Sequence, residues 1–215
     1  IDGTLMKVKE NILRNMLHEV LQSLDIEYPD VHTVSLAGRT DYDIFNSFID
    51  GRDDQATLFE ELKEEYINRM ESSLDEAKIE VFNGVSECLQ MLAEHGAYVG
   101  LLTGNFRRSG FSKLRAARIA EYFHFGGFGE QHRNRNDLPA VAFKDYYRYA
   151  EAKAHPEQFI IIGDTPRDIE CAKFSGARSV AVTTGYYAAD ELSQHEPDIL
   201  LDELSNPEEW TRAFT

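Results

Sequence analysis

A chain of 215 residues with 38 acidic against 22 basic side chains carries a formal net charge of −16. It is long enough for one large domain, or one domain with a smaller insert, and its field disfavours nucleic acid and anionic membranes as partners. A small anionic substrate would need local positive charge from a cation and a few Lys or Arg. Cys88 and Cys171 lie in unrelated segments with no metal or disulfide spacing, and no apolar run approaches the roughly 18 residues of a membrane span, so a soluble, cytoplasmic protein is expected.

The chain opens on Ile1-Asp2-Gly3-Thr4-Leu5, which reads as the back half of a turn following an apolar strand. Over 9–24, Ile12, Leu13, Met16, Leu17, Val20, Leu21 and Leu24 recur at i, i+3, i+4 and i+7, which predicts an amphipathic helix. Further helices are expected over 40–49 and 55–74, so 8–80 reads as an all-helical segment. From Val81 onward short apolar runs alternate with helical ones. Strands are expected at 97–102, 159–162, 179–182 and 199–201, and helices at 85–94, 111–117, 138–154, 167–174 and 188–195. This repeated βα order predicts a Rossmann-like, doubly wound parallel α/β core built from 1–7 and 81–215, with 8–80 inserted. Gly126-Gly127-Phe128-Gly129 reads as a loop.

Ligands of such sheets bind at the carboxyl ends of the strands, so the strand-to-helix turns are the places for chemistry. Thr103-Gly104-Asn105 follows one strand; its hydroxyl, flexible backbone and helix-start N–H groups could hold a phosphate, although such a turn alone more often only caps a helix. Gly163-Asp164-Thr165-Pro166-Arg167-Asp168 follows another. Two carboxylates four residues apart at a strand end can face one spot and suit a hard cation such as Mg²⁺, and either could equally serve the helix N-terminus.

Asp2-Gly3-Thr4, Thr103-Gly104-Asn105 and Gly163-Asp164 with Asp168 resemble, in order and strand context, motifs I, II and IV of the haloacid dehalogenase-like hydrolase superfamily. The helical segment is similar to its C1 cap, and Ser35-Leu36-Ala37-Gly38-Arg39-Thr40-Asp41 resembles the cap loop of phosphoglycolate-phosphatase-like members. The resemblance implies an Mg²⁺-dependent phosphatase acting on a small phosphorylated metabolite through an aspartyl-phosphate on an Asp immediately before Ile1. It further implies Asp2 as general acid and base, and Thr103, Gly104 and Asn105 as the phosphoryl grip. Metal ligands would be the Ile1 carbonyl, Asp164 and Asp168. Members that cleave carbon–halogen bonds lack the second Asp, so Asp2 favours phosphate chemistry. The family's motif III lysine is not found at its usual place before motif IV; Arg135 is expected to substitute, with Arg133 and Lys144 behind it, or these arginines are solvated loop charges. Arg39 and Asp41 are the polar cap residues expected at the substrate, or else the cap and surface of the helix that follows. Arg107 and Arg108 could add positive potential. A monomer or homodimer is expected, and a phosphomutase of the same superfamily or a non-catalytic binding protein are the alternatives.

Overall fold

A computed structural model describes residues 1–9, 11–28, 31, 33 and 36–212; Ser35 of the quoted loop lies outside the described residues. The helical segment holds α1 (Ile12–Ser23), α2 (Asp41–Ile49) and α3 (Gln55–Ser73). Their apolar faces share one core in which Leu17, Val20, Phe45, Ile49, Leu62 and Met70 are buried. Thr40 starts α2 by accepting the Asp43 N–H on its hydroxyl at 3.1 Å, the usual way of satisfying an orphaned first-turn donor. The chain enters and leaves this segment through two short antiparallel strands, β1 (Met6–Val8) and β2 (Ile79–Val81), paired from Met6 opposite Val81 to Val8 opposite Ile79.

The remainder is α/β. Between α4 (Val85–Glu94) and α5 (Arg107–Ala116) lies β3 (Gly100–Thr103), which pairs in parallel with β4 (Phe125–Phe128). After α6 (Leu138–Ala150) come β5 (Ile160–Gly163), α7 (Pro166–Ser175), β6 (Arg178–Val182), α8 (Ala189–Ser193), β7 (Ile199–Leu201) and α9 (Pro207–Thr211). Strands β5, β6 and β7 form a parallel sheet in that order. Helix α6 packs on β3 and β4, and α7 on β5 and β6. One apolar core joins the two sheets, with Met6, Leu101, Phe128, Val180 and Val182 among its members.

The four expected strands and the helices are present with shifted ends; α5 begins four residues earlier than its apolar pattern implied. The loop expected at Gly126-Gly127-Phe128 is instead the buried strand β4. Glycine hides a strand because it contributes nothing to an apolar pattern, yet here it is required by close approach. A Cβ on Gly126 would lie 2.6 Å from the Leu101 carbonyl oxygen, and one on Gly127 2.4 Å from that of Leu138, where α6 begins.

Candidate active site

The turn at Asp2 is shaped by Gly3, whose φ of +80° is left-handed and whose Cβ would fall 2.1 Å from Asp164 Oδ2; only glycine meets both demands. The Gly3 N–H donates to the Met6 carbonyl at 2.9 Å, and the Ile1 carbonyl accepts the N–H groups of Leu5 at 2.9 Å, Met6 at 3.3 Å and Thr4 at 3.4 Å. The Ile1 oxygen expected to ligate a metal is therefore turned into its own loop. Among the described residues no hydrogen bond reaches the next carbonyl, that of Asp2. The Thr4 hydroxyl donates to Asp164 Oδ1 at 2.7 Å and the Thr184 hydroxyl to the Gly3 carbonyl at 2.6 Å, tying the first turn to the turns after β5 and β6.

Thr103, fully buried at the end of β3, accepts on its hydroxyl the Asn105 N–H at 3.2 Å and its side-chain amide at 2.7 Å. The same amide nitrogen lies 3.1 Å from Asp2 Oδ2. The decisive group is one the sequence reading did not single out. Lys113, on α5 and with its side chain only 4% exposed, brings Nζ to 2.6 Å from Asp2 Oδ2 and 2.8 Å from Asn105 Oδ1. Loss of water pushes the Asp2 carboxyl up, but Lys113, by charge and hydrogen bond, and the Asn105 bond hold it below the ordinary carboxylate range. Phe106, Ser109, Gly110 and Lys113 share one buried face of α5, and a lysine in that series is the signal that could have found it.

Arg135, expected in this seat, enters the site elsewhere. Its Nη2 pairs with Asp168 Oδ1 at 2.6 Å. Asp168 Oδ2 meanwhile accepts the Thr165 N–H at 3.1 Å and hydroxyl at 2.7 Å, completing a reciprocal cap on α7. Arg135 thus neutralises Asp168 where it was expected to grip phosphate, and both Asp168 oxygens are engaged. Arg133 and Lys144 are exposed. Arg107 sits over the Phe111 and Phe128 rings, and Arg108 pairs with Glu64 at 2.7 Å and Glu71 at 2.8 Å on α3.

Asp164 differs from Asp168 in keeping Oδ2 outside its bond to Thr4, against main chain where a Cβ on Gly185 would lie 1.9 Å away. Burial, then the neighbouring Asp168, push its carboxyl up to about 6. A buried carboxylate raised in this way favours a cation beside it. Among the described residues no cluster of three or more His, Cys, Asp or Glu side chains could hold a metal, but Mg²⁺ asks for only one or two protein carboxylates and completes its octahedron with water and phosphate oxygens. The Asp164 carboxylate fits that requirement, whereas both Asp168 oxygens serve Arg135 and the α7 cap.

Of the two residues expected at the substrate, Arg39 is paired with Asp43, its Nε 2.7 Å from Asp43 Oδ2. Asp41, partly buried, points at the start of α5, accepting the Phe106 N–H at 2.9 Å on Oδ2, which also lies 3.3 Å from the Ser109 hydroxyl. Gly104 also has a role beyond the one expected of it: its carbonyl accepts the Asp41 N–H at 2.7 Å, and a Cβ there would lie 2.2 Å from the Arg39 carbonyl oxygen. The loop ahead of α2 is thus seated directly on the turn after β3.

Residues 1–182 match the family model described as haloacid dehalogenase-like hydrolase. The pyrophosphatase PpaX of Bacillus cereus (strain Q1) is 25% identical over 210 residues, covering 96% of this chain and 91% of that protein. Two solved structures share the fold: a predicted phosphoglycolate phosphatase from Haemophilus somnus 129pt, with TM-score 0.72, 20% identity and coverage of 98% and 95% of the two chains, and a candidate beta-phosphoglucomutase from Thermotoga maritima, with TM-score 0.61, 19% identity and coverage of 99% and 96%.

Proposed function

The chain belongs to the haloacid dehalogenase-like hydrolase family, and on that premise we propose that it is an Mg²⁺-dependent phosphatase. It hydrolyses a small phosphate monoester through an aspartyl-phosphate on an Asp immediately preceding Ile1. The observation that carries the reading is the network in which Asp2, Lys113, Asn105 and Thr103 converge at the carboxyl end of β3. It offers a cation, a neutral donor and a proton-transfer group at one point, the set that phosphoryl transfer demands.

In this mechanism the Lys113 ammonium and the Asn105 amide receive the phosphoryl oxygens. An incoming phosphate competes with Asp2 for Lys113, and as that pairing weakens the Asp2 carboxyl rises and takes up a proton. The nucleophilic carboxylate attacks phosphorus, the ester P–O bond breaks, and Asp2 gives its proton to the departing alcohol oxygen. Asp2, again a carboxylate, then removes a proton from water, which attacks the phosphorus of the acyl phosphate; the bond to the nucleophile breaks and phosphate leaves. Mg²⁺, held by Asp164 and the nucleophile, would neutralise the charge between nucleophile and phosphoryl group. Arg135 holds Asp168 in place beside Asp164. The helical segment acts as the cap that closes over the substrate. The relatives' names make phosphoglycolate, sugar phosphates and pyrophosphate the esters and anhydrides to try first.

The test is phosphate release from those compounds and a generic aryl phosphate by the full-length protein, with Mg²⁺ and with chelator, beside Asp2→Asn and Lys113→Ala. Release that needs Mg²⁺ and falls by about 10²-fold or more in Asp2→Asn is expected. No release from any compound, with the preceding Asp verified, would overturn the hydrolase reading; turnover that appears only with a sugar bisphosphate would make the enzyme a mutase.

A further inference from the structure

We propose that Asp41 is a positioning residue, which caps the N-terminus of α5 from the helical segment and so sets Lys113 in the active site only while that segment is seated. The inference rests on the phosphatase reading for its consequence in catalysis, though not for its geometry.

A helix leaves its first N–H groups without internal partners. The residue just ahead of α5 is Phe106, whose side chain has no oxygen to offer, and α5 has no side-chain cap of its own. The Phe106 N–H is taken by Asp41 at 2.9 Å and the Arg107 N–H by Glu130 Oε1 at 2.5 Å. The same Asp41 oxygen lies 3.3 Å from the hydroxyl of Ser109, fully buried one turn before Lys113; the shorter bond of that hydroxyl goes to the Phe106 carbonyl at 2.9 Å. The bonds therefore grip the turn of α5 that fixes where the lysine emerges. A Ser, Thr or Asp at 106 could have capped the helix locally. Phe106 is instead buried in the core of the helical segment, 5.2 Å from the Phe45 ring and 6.2 Å from Phe59. The two units exchange anchors at one place: an aromatic ring goes out from α5 and a carboxylate comes back.

Asp41 is itself located by the seating of its loop. Its N–H bonds the Gly104 carbonyl, the fully buried Thr40 donates its hydroxyl to the His132 carbonyl at 2.6 Å, and a Cβ on Gly38 would lie 2.8 Å from Arg167 Cδ on α7. Residues 38–41 thus touch the segments carrying both the Thr103 turn and the Asp164 turn. Lifting the loop to admit substrate withdraws the α5 cap, and reseating it restores Lys113 to Asp2 and Asn105. Keeping a carboxylate in this partly buried place is costly, since loss of water raises Asp41 to about 6 against the opposing pull of Lys113.

The experiment compares Asp41→Ala and Asp41→Asn with wild type in three readouts: amide exchange across 106–109, acylation of Lys113 followed by mass spectrometry, and kcat and KM on an aryl phosphate. In Asp41→Ala, exchange at Phe106 should rise about fivefold or more, Lys113 should label faster, and kcat should fall by up to about 10²-fold with little change in KM. Asp41→Asn keeps an acceptor and should recover most of the protection. Unchanged exchange and labelling in folded Asp41→Ala would overturn the proposal, as would a KM rise confined to one ester with α5 unaltered, which would mark a substrate contact. Should the alanine variant not fold, Ser109→Ala beside Asp41→Asn applies the same readouts: looser α5 and faster labelling in Ser109→Ala support the proposal, and unchanged values in both variants overturn it. If wild type releases no phosphate from any ester, exchange and labelling still decide the role of Asp41 while the phosphatase reading fails alone.

Discussion

Lys113 and Asp2 form the pair on which residue-scale predictions turn. Replacing Lys113 with Met should lower kcat by about 10²- to 10³-fold, the usual loss on removing a charge-stabilising donor. It should also move the pH profile. The ammonium is the leading influence that lowers the Asp2 carboxyl, so without it Asp2 rises, and the basic limb of kcat/KM against pH, set by the protonated acid that the first step requires, should shift to higher pH. Asp41 gives a stability prediction of opposite sign. Its carboxyl is raised to about 6 by burial, with Lys113 opposing and Asp2 adding to the rise. The folded state therefore holds a proton that the unfolded chain releases near its ordinary value of 3.8. The stability this confers is full below that value and is lost as pH climbs through about 6. Asp41→Asn should accordingly raise Tm near pH 8 by about 5 °C, with the gain shrinking toward pH 4, as read by calorimetry at the two pH values.

Strand β4 and the start of α5 set the expectations for elements. Gly127 lets α6 approach β4 so closely that a Cβ would meet the Leu138 carbonyl and the Ala142 methyl, the latter at 3.3 Å. Gly127→Ala should cost about 1–3 kcal/mol in urea unfolding, as overpacking against backbone does, whereas an alanine at Gly51, where nothing lies within 4 Å, meets only the strain of its φ of +81°. Both positions look alike in the sequence; their difference is a matter of what packs opposite. Lys113 is hidden in the sequence for a related reason. The apolar pattern of α5 is visible only from Phe111, so its first turn, with Ser109 and Gly110 as small buried residues, reads as part of the preceding turn, and the lysine's place on the buried face is not legible there.

For the whole molecule the net charge of −16 and a site built around Lys113 pull an anionic substrate in opposite directions. Lys113 acts at contact and is shielded by burial, whereas the surface charge acts over distances that salt screens, with a Debye length near 10 Å at 0.1 M. Raising ionic strength from about 10 mM to 150 mM at constant free Mg²⁺ should therefore increase kcat/KM for a dianionic ester; a decrease would mean that a local basic surface steers the substrate. The two units of the fold bear on this as well, since Arg108 on α5 spends its charge on Glu64 and Glu71 of α3 and leaves steering to groups deeper in the site.

The sequence by itself determined the alternation of strands and helices, the helical segment between β1 and β2, and the three turns that carry Asp2, Thr103 and Asp164. These are local matters: apolar period, turn residues and motif order are all written in neighbouring positions. Only the tertiary structure decided that Lys113 reaches the Asp2 carboxylate, that Arg135 answers Asp168, that the Ile1 carbonyl is consumed by its own turn, and that Asp41 caps a helix 65 residues away. Each of these depends on which groups meet across the fold, and a hydrogen bond or ion pair is fixed by distance and burial, which sequence separation does not encode.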